Sequence, residues 1–334
     1  MMCKLTMGGI VAGVLFLTAG CHSSTPSKNN PDEASTSLKA YAVFNSDSAY
    51  SYVEDQVALG PRVPGSAAAQ ECASYISTEL RRHGADSVRL QPGVVRAYNG
   101  DVLKINNVMG SFNPGANRRI LLAAHYDTRP WADSDANEDF RTSPIPGAND
   151  GGSGVGVLLE IARQLGQRQP GIGVDMLFVD AEDYGQASGF SNHDESWCLG
   201  TQYWVQHLPY ATDSLPAYAI VLDMVGGMDA KFHREYFSNQ AAPEIVDRVW
   251  SIAAQSGYSD RFINKEGGIV IDDHYFIAKA GIPAIDIVES KNDQSKSFPT
   301  TWHTMADDMD HIDKSSLKAV GQTVLNLIYN EKLK

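Results

Sequence analysis

Apolar and polar positions along the chain follow two repeating patterns, and their alternation predicts the fold class. Amphipathic periodicity predicts two N-terminal helices at 46–59 and 66–83, joined by a turn rich in Pro and Gly at 60–65. Alternating segments at 87–90, 94–98 and 103–111 predict an antiparallel portion at a sheet edge. Strand patterns then occur at 119–124, 174–179, 218–223 and 283–288, and helix patterns at 151–166, 198–208, 242–256, 273–280 and 313–331. This order predicts an α/β fold with a mixed, mainly parallel central sheet and helices on both faces.

Acidic and histidine residues stand where several of these strand patterns end. His125 and Asp127 follow the first parallel strand, Glu182 and Asp183 follow the second, and Asp223 ends the third. The carboxyl ends of parallel strands meet at one edge of a sheet, and ligands bind there in open α/β folds. The two long predicted loops, 128–148 and 184–197, also lie next to these residues, and long loops in a compact domain are usually functional. The pattern therefore predicts a metalloenzyme site at this edge.

Three residues form the expected ligand set for a catalytic metal. Asp150 directly precedes the helix pattern at 151–166, Asp183 follows a strand, and His303 lies in a late loop. Each has an ordinary interpretation when it is taken alone: a helix N-cap, a turn acid and a buried histidine. Two carboxylates and one imidazole, with a fourth position left open, are typical of catalytic zinc. Together the three residues predict zinc.

Glu182 adjoins a predicted ligand and must point elsewhere in the site, which indicates a general acid–base beside the metal. His125 and Asp223 leave two interpretations open. They could hold a second metal bridged through Asp150, or they could orient Asp150 and the base by hydrogen bonds.

Composition narrows the classes of partner. The chain has 334 residues, 43% hydrophobic and 20% charged, which fits one large soluble domain or two small ones. Its formal charge of −13 argues against nucleic acid and against an anionic membrane surface as partners. The glycine-rich segment 151–156 lacks the spacing of a dinucleotide-binding motif, so no nucleotide is expected.

The N-terminus has the pattern of an export signal. Lys4 precedes a short apolar run at 8–17, and small residues lead to Cys21. The segment resembles a bacterial lipoprotein signal, with 1–20 removed, a lipid on Cys21 and a flexible tether over 21–39. We therefore expect a single zinc-dependent catalytic domain over 40–334, held by the lipid at the periplasmic side of a membrane, the outer membrane being favoured. Neither Cys72 nor Cys198 belongs to a CxxC pair, so zinc bound by thiolates is not expected. An exported protein permits a disulfide between them, but two buried free thiols are favoured.

Taken in chain order, the motifs resemble those of the M28 zinc aminopeptidase family. The resemblance covers the chain from about residue 41 to its end, and its motifs are His125-x-Asp127, Gly147-Ala148-Asn149-Asp150-Gly151, Glu182-Asp183, Asp223, His303, the turn at 60–65 and Gly281-Ile282-Pro283-Ala284. Within that family the chain most resembles bacterial glutaminyl-peptide cyclotransferases. The narrower resemblance depends on Asp272-Asp273-His274, the Phe298-Pro299 pair, the Trp197 loop, and Glu182-Asp183 where many relatives have Glu-Glu.

The resemblance implies a fold and a set of roles. The fold would be a zinc exopeptidase-like, α/β-hydrolase-type sandwich. One zinc per chain would be held by Asp150, Asp183 and His303. Glu182 would be the acid–base, with Asp223 and Asp273 in a hydrogen-bond network beside it. Trp197, Phe298 and Trp302 would wall the substrate pocket.

The function that the resemblance implies is cyclisation of an N-terminal glutamine on a peptide or protein to pyroglutamate, with release of ammonia. The alternative is a two-zinc aminopeptidase that hydrolyses the N-terminal residue, and every ligand it would need is present. A third hypothesis, a lipid-anchored peptide-binding protein with a degenerate site, is disfavoured because Glu182 is intact.

Overall fold

The computed structural model describes residues 42–187 and 194–331. The predicted export signal over 1–20, the tether over 21–39 and the lipid anchor at Cys21 lie outside the described residues. In the part that is described, no helix has both the length and the apolar character that a membrane span requires.

A six-stranded sheet forms the centre of the fold, with strand order β1-β2-β4-β3-β5-β8. The strands are β1 (Ser87–Arg96), β2 (Val102–Phe112), β3 (Arg119–His125), β4 (Gly173–Val179), β5 (Ala219–Asp223), β6 (Phe232–Arg234), β7 (Phe262–Glu266) and β8 (Ala284–Val288). Strands β4, β3, β5 and β8 pair in parallel, and β2 joins β4 and β1 in antiparallel pairs. The predicted mixed, mainly parallel sheet is confirmed.

Eight α-helices accompany these strands in the described ranges. They are α1 (Ser46–Ala58), α2 (Ala67–Arg82), α3 (Gly152–Gln167), α4 (Leu199–Gln206), α5 (Tyr236–Ala241), α6 (Pro243–Gln255), α7 (Asp273–Lys279) and α8 (Lys314–Tyr329). The sheet has two apolar faces, because its parallel strands are buried along their whole length. One face packs with α1, α2, α3, α6 and α8 in the larger core cluster, and the other packs with α4 and α7 in a smaller one.

The glycine-rich segment at 151–156 serves close packing of α3. A Cβ on Gly154 would stand 2.1 Å from the carbonyl oxygen of Leu222 on β5, and one on Gly156 would stand 2.6 Å from a methyl of Val53 on α1. Only glycine lets the helix approach both neighbours this closely. The approach holds the N-terminus of α3, and Asp150 just before it, against the carboxyl edge of the sheet.

The structure departs from the predicted elements in two places. The segments at 87–90 and 94–98 form one continuous strand, β1, because Pro92 is tolerated on an edge strand, which lacks a partner on one side. The small parallel pair β6–β7 and the six-residue helix α5 were not predicted. Three to six residues are too few to show a periodic pattern.

The two cysteines of the described region, Cys72 and Cys198, are both buried and free, as predicted.

Candidate metal and catalytic site

The carboxyl edge of the sheet gathers most of the predicted site residues. His125 ends β3 and Asp223 ends β5, while Glu182 and Asp183 lie in the turn just after β4. Parallel register places these ends side by side, since His125 pairs with Val179 and Ala123 pairs with Val221. Asp150 enters from the start of α3, and His303 enters from the loop between β8 and α8.

The three predicted metal ligands lie together. Their ligand atoms are all within 4.8 Å of one another, and the three residues are buried. His303 Nε2 lies 3.1 Å from Asp183 Oδ1 and 3.6 Å from Asp150 Oδ2. Burial alone would lower the pKa of His303, but Asp183 and Asp133 raise it above its ordinary value.

Unpaired oxygens in this group indicate what it binds. Among the described residues, Asp150 Oδ2 and both carboxylate oxygens of Asp183 are buried and accept no hydrogen bond. Buried carboxylate oxygens without a partner cost free energy, and a cation removes that cost. Two carboxylates and one imidazole fit the ligand set of zinc with an open fourth position. The geometry of the three residues therefore suits a catalytic zinc ion.

His125 connects this group to Asp223. Its Nε2 atom lies 3.2 Å from Asp150 Oδ1 and 3.2 Å from Asp223 Oδ1. Burial lowers the pKa of His125, but Asp127, Asp150 and Asp223 together raise it well above its ordinary value. Burial raises the pKa of Asp223 to about 7. His125 thus stands between two acids that favour its charged form.

Asp127 holds the backbone of the segment that follows β4. Its two oxygens accept the backbone N–H groups of Glu182 at 3.0 Å and Asp183 at 3.1 Å. The preceding residue, Ala181, has a φ of 56°, which is uncommon for a residue with a side chain. The carboxylate of Asp127 thus supports a strained turn that points two adjacent acids into the site.

Glu182 stands beside the predicted ligands and outside their group of three. The Cys198 thiol donates to its Oε1 atom at 3.3 Å, and His125 Nδ1 lies 4.0 Å from its Oε2 atom. Burial, with help from the nearby charges of Asp272 and Asp183, raises the pKa of Glu182 well above its ordinary value. A carboxyl group with a raised pKa in a cavity is suited to take and return a proton.

A cavity of about 410 Å³ opens onto these residues. Aromatic side chains form part of its wall, and all three that were predicted are among them: Trp197, Phe298 and Trp302. The Trp302 ring stacks on His303 with ring centres 3.6 Å apart, and Phe298 lies 4.8 Å from Trp302. This size and this mixture of apolar wall and few polar groups are typical of a small-ligand site.

Asp272 and Asp273 both lie near Glu182, and the charge of each contributes to the raised pKa of that carboxyl group. The hydrogen-bond network of Asp273 beside Glu182 stays a prediction. Asp272 lines the cavity, and its carboxylate lies within 4.8 Å of the ligand atoms of Glu182 and Cys198. Asp273 is fully buried outside the cavity lining, and Thr201 of α4 is the hydroxyl residue that interacts with it. Asp272 is the extended N-cap of α7, whereas Asp273 is its first helical residue, so the two side chains point in different directions.

Other cavity residues carried no signal in the sequence. Ile269, Val270 and Ile271 come from an irregular segment, and Phe237 comes from the short helix α5 that was not predicted. Cys198 was interpreted as a buried thiol only, and its contact with Glu182 depends on the turn at Trp197.

Comparison with known proteins identifies the family. The profile of peptidase family M28 matches residues 107–328. The crystal structure of Bacteroides thetaiotaomicron glutaminyl cyclase bound to N-acetylhistamine is 49% identical, with a TM-score of 0.83 over 87% of this chain and 99% of that one. A leucine aminopeptidase precursor from Bacteroides thetaiotaomicron VPI-5482 is also 49% identical, with a TM-score of 0.82 over the same shares. Glutaminyl-peptide cyclotransferase of Bos taurus is 24% identical over 290 residues, which cover 77% of this chain and 74% of that protein. The chain belongs to peptidase family M28.

Proposed function

We propose that the protein is a zinc-dependent glutaminyl-peptide cyclotransferase, which converts the N-terminal glutamine of peptides and proteins to pyroglutamate and releases ammonia. One observation carries the proposal. The acid–base candidate Glu182, the predicted metal ligands and several aromatic side chains all line the same cavity. The 49% identity to a glutaminyl cyclase over nearly the whole of that chain supports the same function.

The chemistry divides between the bound metal and the residues of this chain. Zinc held by Asp150, Asp183 and His303 would act as a Lewis acid on the γ-carbonyl of the glutamine. The α-amine of the substrate is the nucleophile, so the protein needs to orient it rather than to activate a water. Glu182 takes a proton from that amine and returns one to the departing ammonia. The amine nitrogen thereby forms a bond to the γ-carbon, and the bond from that carbon to the amide nitrogen breaks.

The aromatic wall suits this reaction because it excludes water. Hydrolysis of the γ-amide would compete with cyclisation if water reached the polarised carbonyl. Trp302 and Phe298 pack together beside Met224, Val270 and Val288, so this side of the cavity is apolar. A glutamine side chain can lie against it while its amide faces the polar side.

A two-zinc aminopeptidase remains the second candidate, because His125, Asp150 and Asp223 form another group with metal-ligand geometry. In this group His125 Nε2 lies within 3.2 Å of an oxygen of each acid. The imidazole is hydrogen-bonded to Asp223 in the structure. We propose one zinc per chain, with His125 orienting Asp150 and Asp223 in place of a second ion.

Product analysis separates the two functions. The purified protein is incubated with a peptide that begins with Gln and, as a control, with one of equal length that begins with Leu. Cyclisation gives a product that has lost ammonia only, and it occurs with the Gln peptide alone. Loss of the whole first residue from either peptide would support the aminopeptidase and overturn the proposal.

We further propose that a lipid on Cys21 holds the catalytic domain at the periplasmic side of a membrane, through the tether over 21–39. The sequence pattern around Cys21 supports this proposal. Replacement Cys21→Ala should move the protein from the membrane fraction to the soluble fraction with unchanged specific activity. An aggregated or inactive product would show that the N-terminal segment belongs to the fold.

A further inference from the structure

The loop after β3 carries a buried ion pair that touches the metal-ligand group from outside the cavity. Arg129 donates from Nε to Asp133 Oδ1 at 2.8 Å and from Nη2 to Asp133 Oδ2 at 2.6 Å. The side chain of Arg129 is 1% exposed and that of Asp133 is 27% exposed. Neither residue lines the cavity, so neither has a part in the chemistry described above.

Asp133 is placed to orient the predicted ligand His303. Its Oδ1 atom lies 3.3 Å from His303 Nδ1, the ring nitrogen opposite the one that faces Asp150 and Asp183. A histidine that binds metal through Nε2 must carry its proton on Nδ1. The contact between Asp133 and His303 Nδ1 is at ion-pair distance and is not a formed hydrogen bond among the described residues. When the imidazole binds a metal through Nε2, a carboxylate in this place favours the proton on Nδ1, orients the ring and strengthens Nε2 as a ligand.

Arg129 extends the support to the second ligand and to the cavity wall. Its Nη1 atom donates to the backbone oxygens of Asp183 and Gly185, each at 3.1 Å. Its guanidinium carbon lies 5.0 Å from the ring centre of Trp197 and 5.5 Å from that of Trp131, within the range of cation–π contacts. One planar group therefore contacts Asp133, the backbone of a metal ligand and a wall of the substrate cavity.

The backbone of His303 shows why such support is needed. Its φ is 56°, a left-handed conformation that residues with a side chain rarely adopt. Ser134, next to Asp133, donates its N–H to the carbonyl oxygen of His303 at 3.1 Å. Strained backbone at a site persists only where neighbouring groups hold it. The loop that carries the ion pair thus holds His303 through both its ring and its backbone.

We propose that Asp133 and Arg129 are positioning residues. Asp133 orients the His303 ring so that Nε2 can bind zinc. Arg129 holds Asp133 and also contacts the backbone of Asp183 and the ring of Trp197, so it keeps both metal ligands and this part of the cavity wall in place. The role of Asp133 in zinc binding depends only on the three metal ligands. The role of Arg129 in substrate binding rests on the proposed cyclisation of glutamine.

Zinc affinity of the apoprotein tests the first part without using activity. The dissociation constant is measured by competition with a chromogenic zinc chelator for wild type, Asp133→Asn and Asp133→Glu. Loss of such a carboxylate typically weakens metal binding about 10- to 100-fold, and we expect this for Asp133→Asn. Asp133→Glu keeps the charge and the ion pair but moves the carboxylate by one methylene, so it should also bind zinc more weakly.

Asp135→Asn is the matched control. Asp135 lies on the same loop and accepts the backbone N–H of Met305 at 2.9 Å and of Asn137 at 2.8 Å, without a contact to His303. It should bind zinc as wild type does. Unchanged zinc affinity in a folded Asp133→Asn or Asp133→Glu protein would overturn the proposal, and so would an equal loss in Asp135→Asn.

Kinetics with a Gln-initiated peptide at saturating zinc test the second part. Arg129→Lys keeps the charge but loses the planar group, so its contact with Trp197 should weaken and KM should rise roughly 2- to 30-fold. An unchanged KM would overturn the coupling to the cavity wall. If the wild-type protein forms no pyroglutamate, the proposed function fails, while the zinc measurements still decide the role of Asp133.

Discussion

Replacement Glu182→Gln tests the acid–base role of Glu182 separately from the metal-binding role of the residues beside it. Gln keeps the size and polarity of the side chain but cannot accept the proton of the substrate amine. Its backbone N–H can still donate to Asp127, since that contact does not involve the side chain. The thiol of Cys198 can still donate to the amide oxygen. The substitution therefore removes the ability of side chain 182 to accept a proton and leaves its contacts with Asp127 and Cys198 in place.

The expected effects of Glu182→Gln are a slower reaction and an unchanged zinc content. Loss of a general base typically costs about 10²–10⁴ in rate, which corresponds to about 3–5 kcal/mol in the activation free energy. Glu182 does not belong to the Asp150, Asp183 and His303 group, so zinc content should stay at the wild-type level. Burial and the charges of Asp272 and Asp183 disfavour the ionised carboxylate at 182. A neutral amide there should therefore leave the melting temperature unchanged or raise it.

The assay compares Glu182→Gln with Asp183→Asn, a neutral substitution at the next residue. Zinc content, melting temperature and ammonia release from a Gln-initiated peptide are measured on each purified protein. Glu182→Gln should be slow and zinc-loaded, whereas Asp183→Asn should lose zinc first. The assigned roles are refuted if Glu182→Gln loses its zinc, or if it turns over at close to the wild-type rate.

Three further predictions concern the wall, the metal and a buried acid. Trp302→Leu removes the ring stacked on His303 and should raise KM or lower kcat with the protein still folded; loss of activity explained fully by unfolding would assign Trp302 to the core. A chelator should abolish activity and zinc should restore it, with one zinc per chain by metal analysis; two at full occupancy would favour the aminopeptidase. Burial raises the pKa of Glu289 from 4.5 to about 7, so the folded state binds the proton of this carboxyl group more tightly than the unfolded state does. The free energy of unfolding should therefore fall by up to about 3 kcal/mol as the pH rises from 4.5 to about 7. Glu289→Gln should lack this loss in urea unfolding at pH values on either side of the window, and an equal slope in both proteins would contradict the assignment.

The long elements were predictable because their patterns repeat. Strand β4 is a continuous apolar run and α8 presents four turns of amphipathic sequence, so each was placed within a few residues. The pair β6–β7 depends on contacts between segments far apart in the chain, and its short strands have no pattern of their own.

The site was predictable where the sequence itself fixes the location. A residue at the end of a parallel strand must lie at the carboxyl edge, which placed His125, Glu182 and Asp223 correctly there. Which of Asp272 and Asp273 faces the cavity depends on the exact start of α7, where sequence patterns are least informative. The contact of Arg129 with Trp197 arises only where two loops meet, so no local pattern reveals it.

The arrangement around Asp127 has an evolutionary consequence. One carboxylate fixes the backbone of two adjacent residues, the acid–base at 182 and the predicted ligand at 183. A mutation that lengthens or shortens side chain 183 therefore moves its carboxylate, and with it the metal that it would bind, while the base stays where it is. The spacing between metal and base can thus change in a single mutational step, without rebuilding the active site.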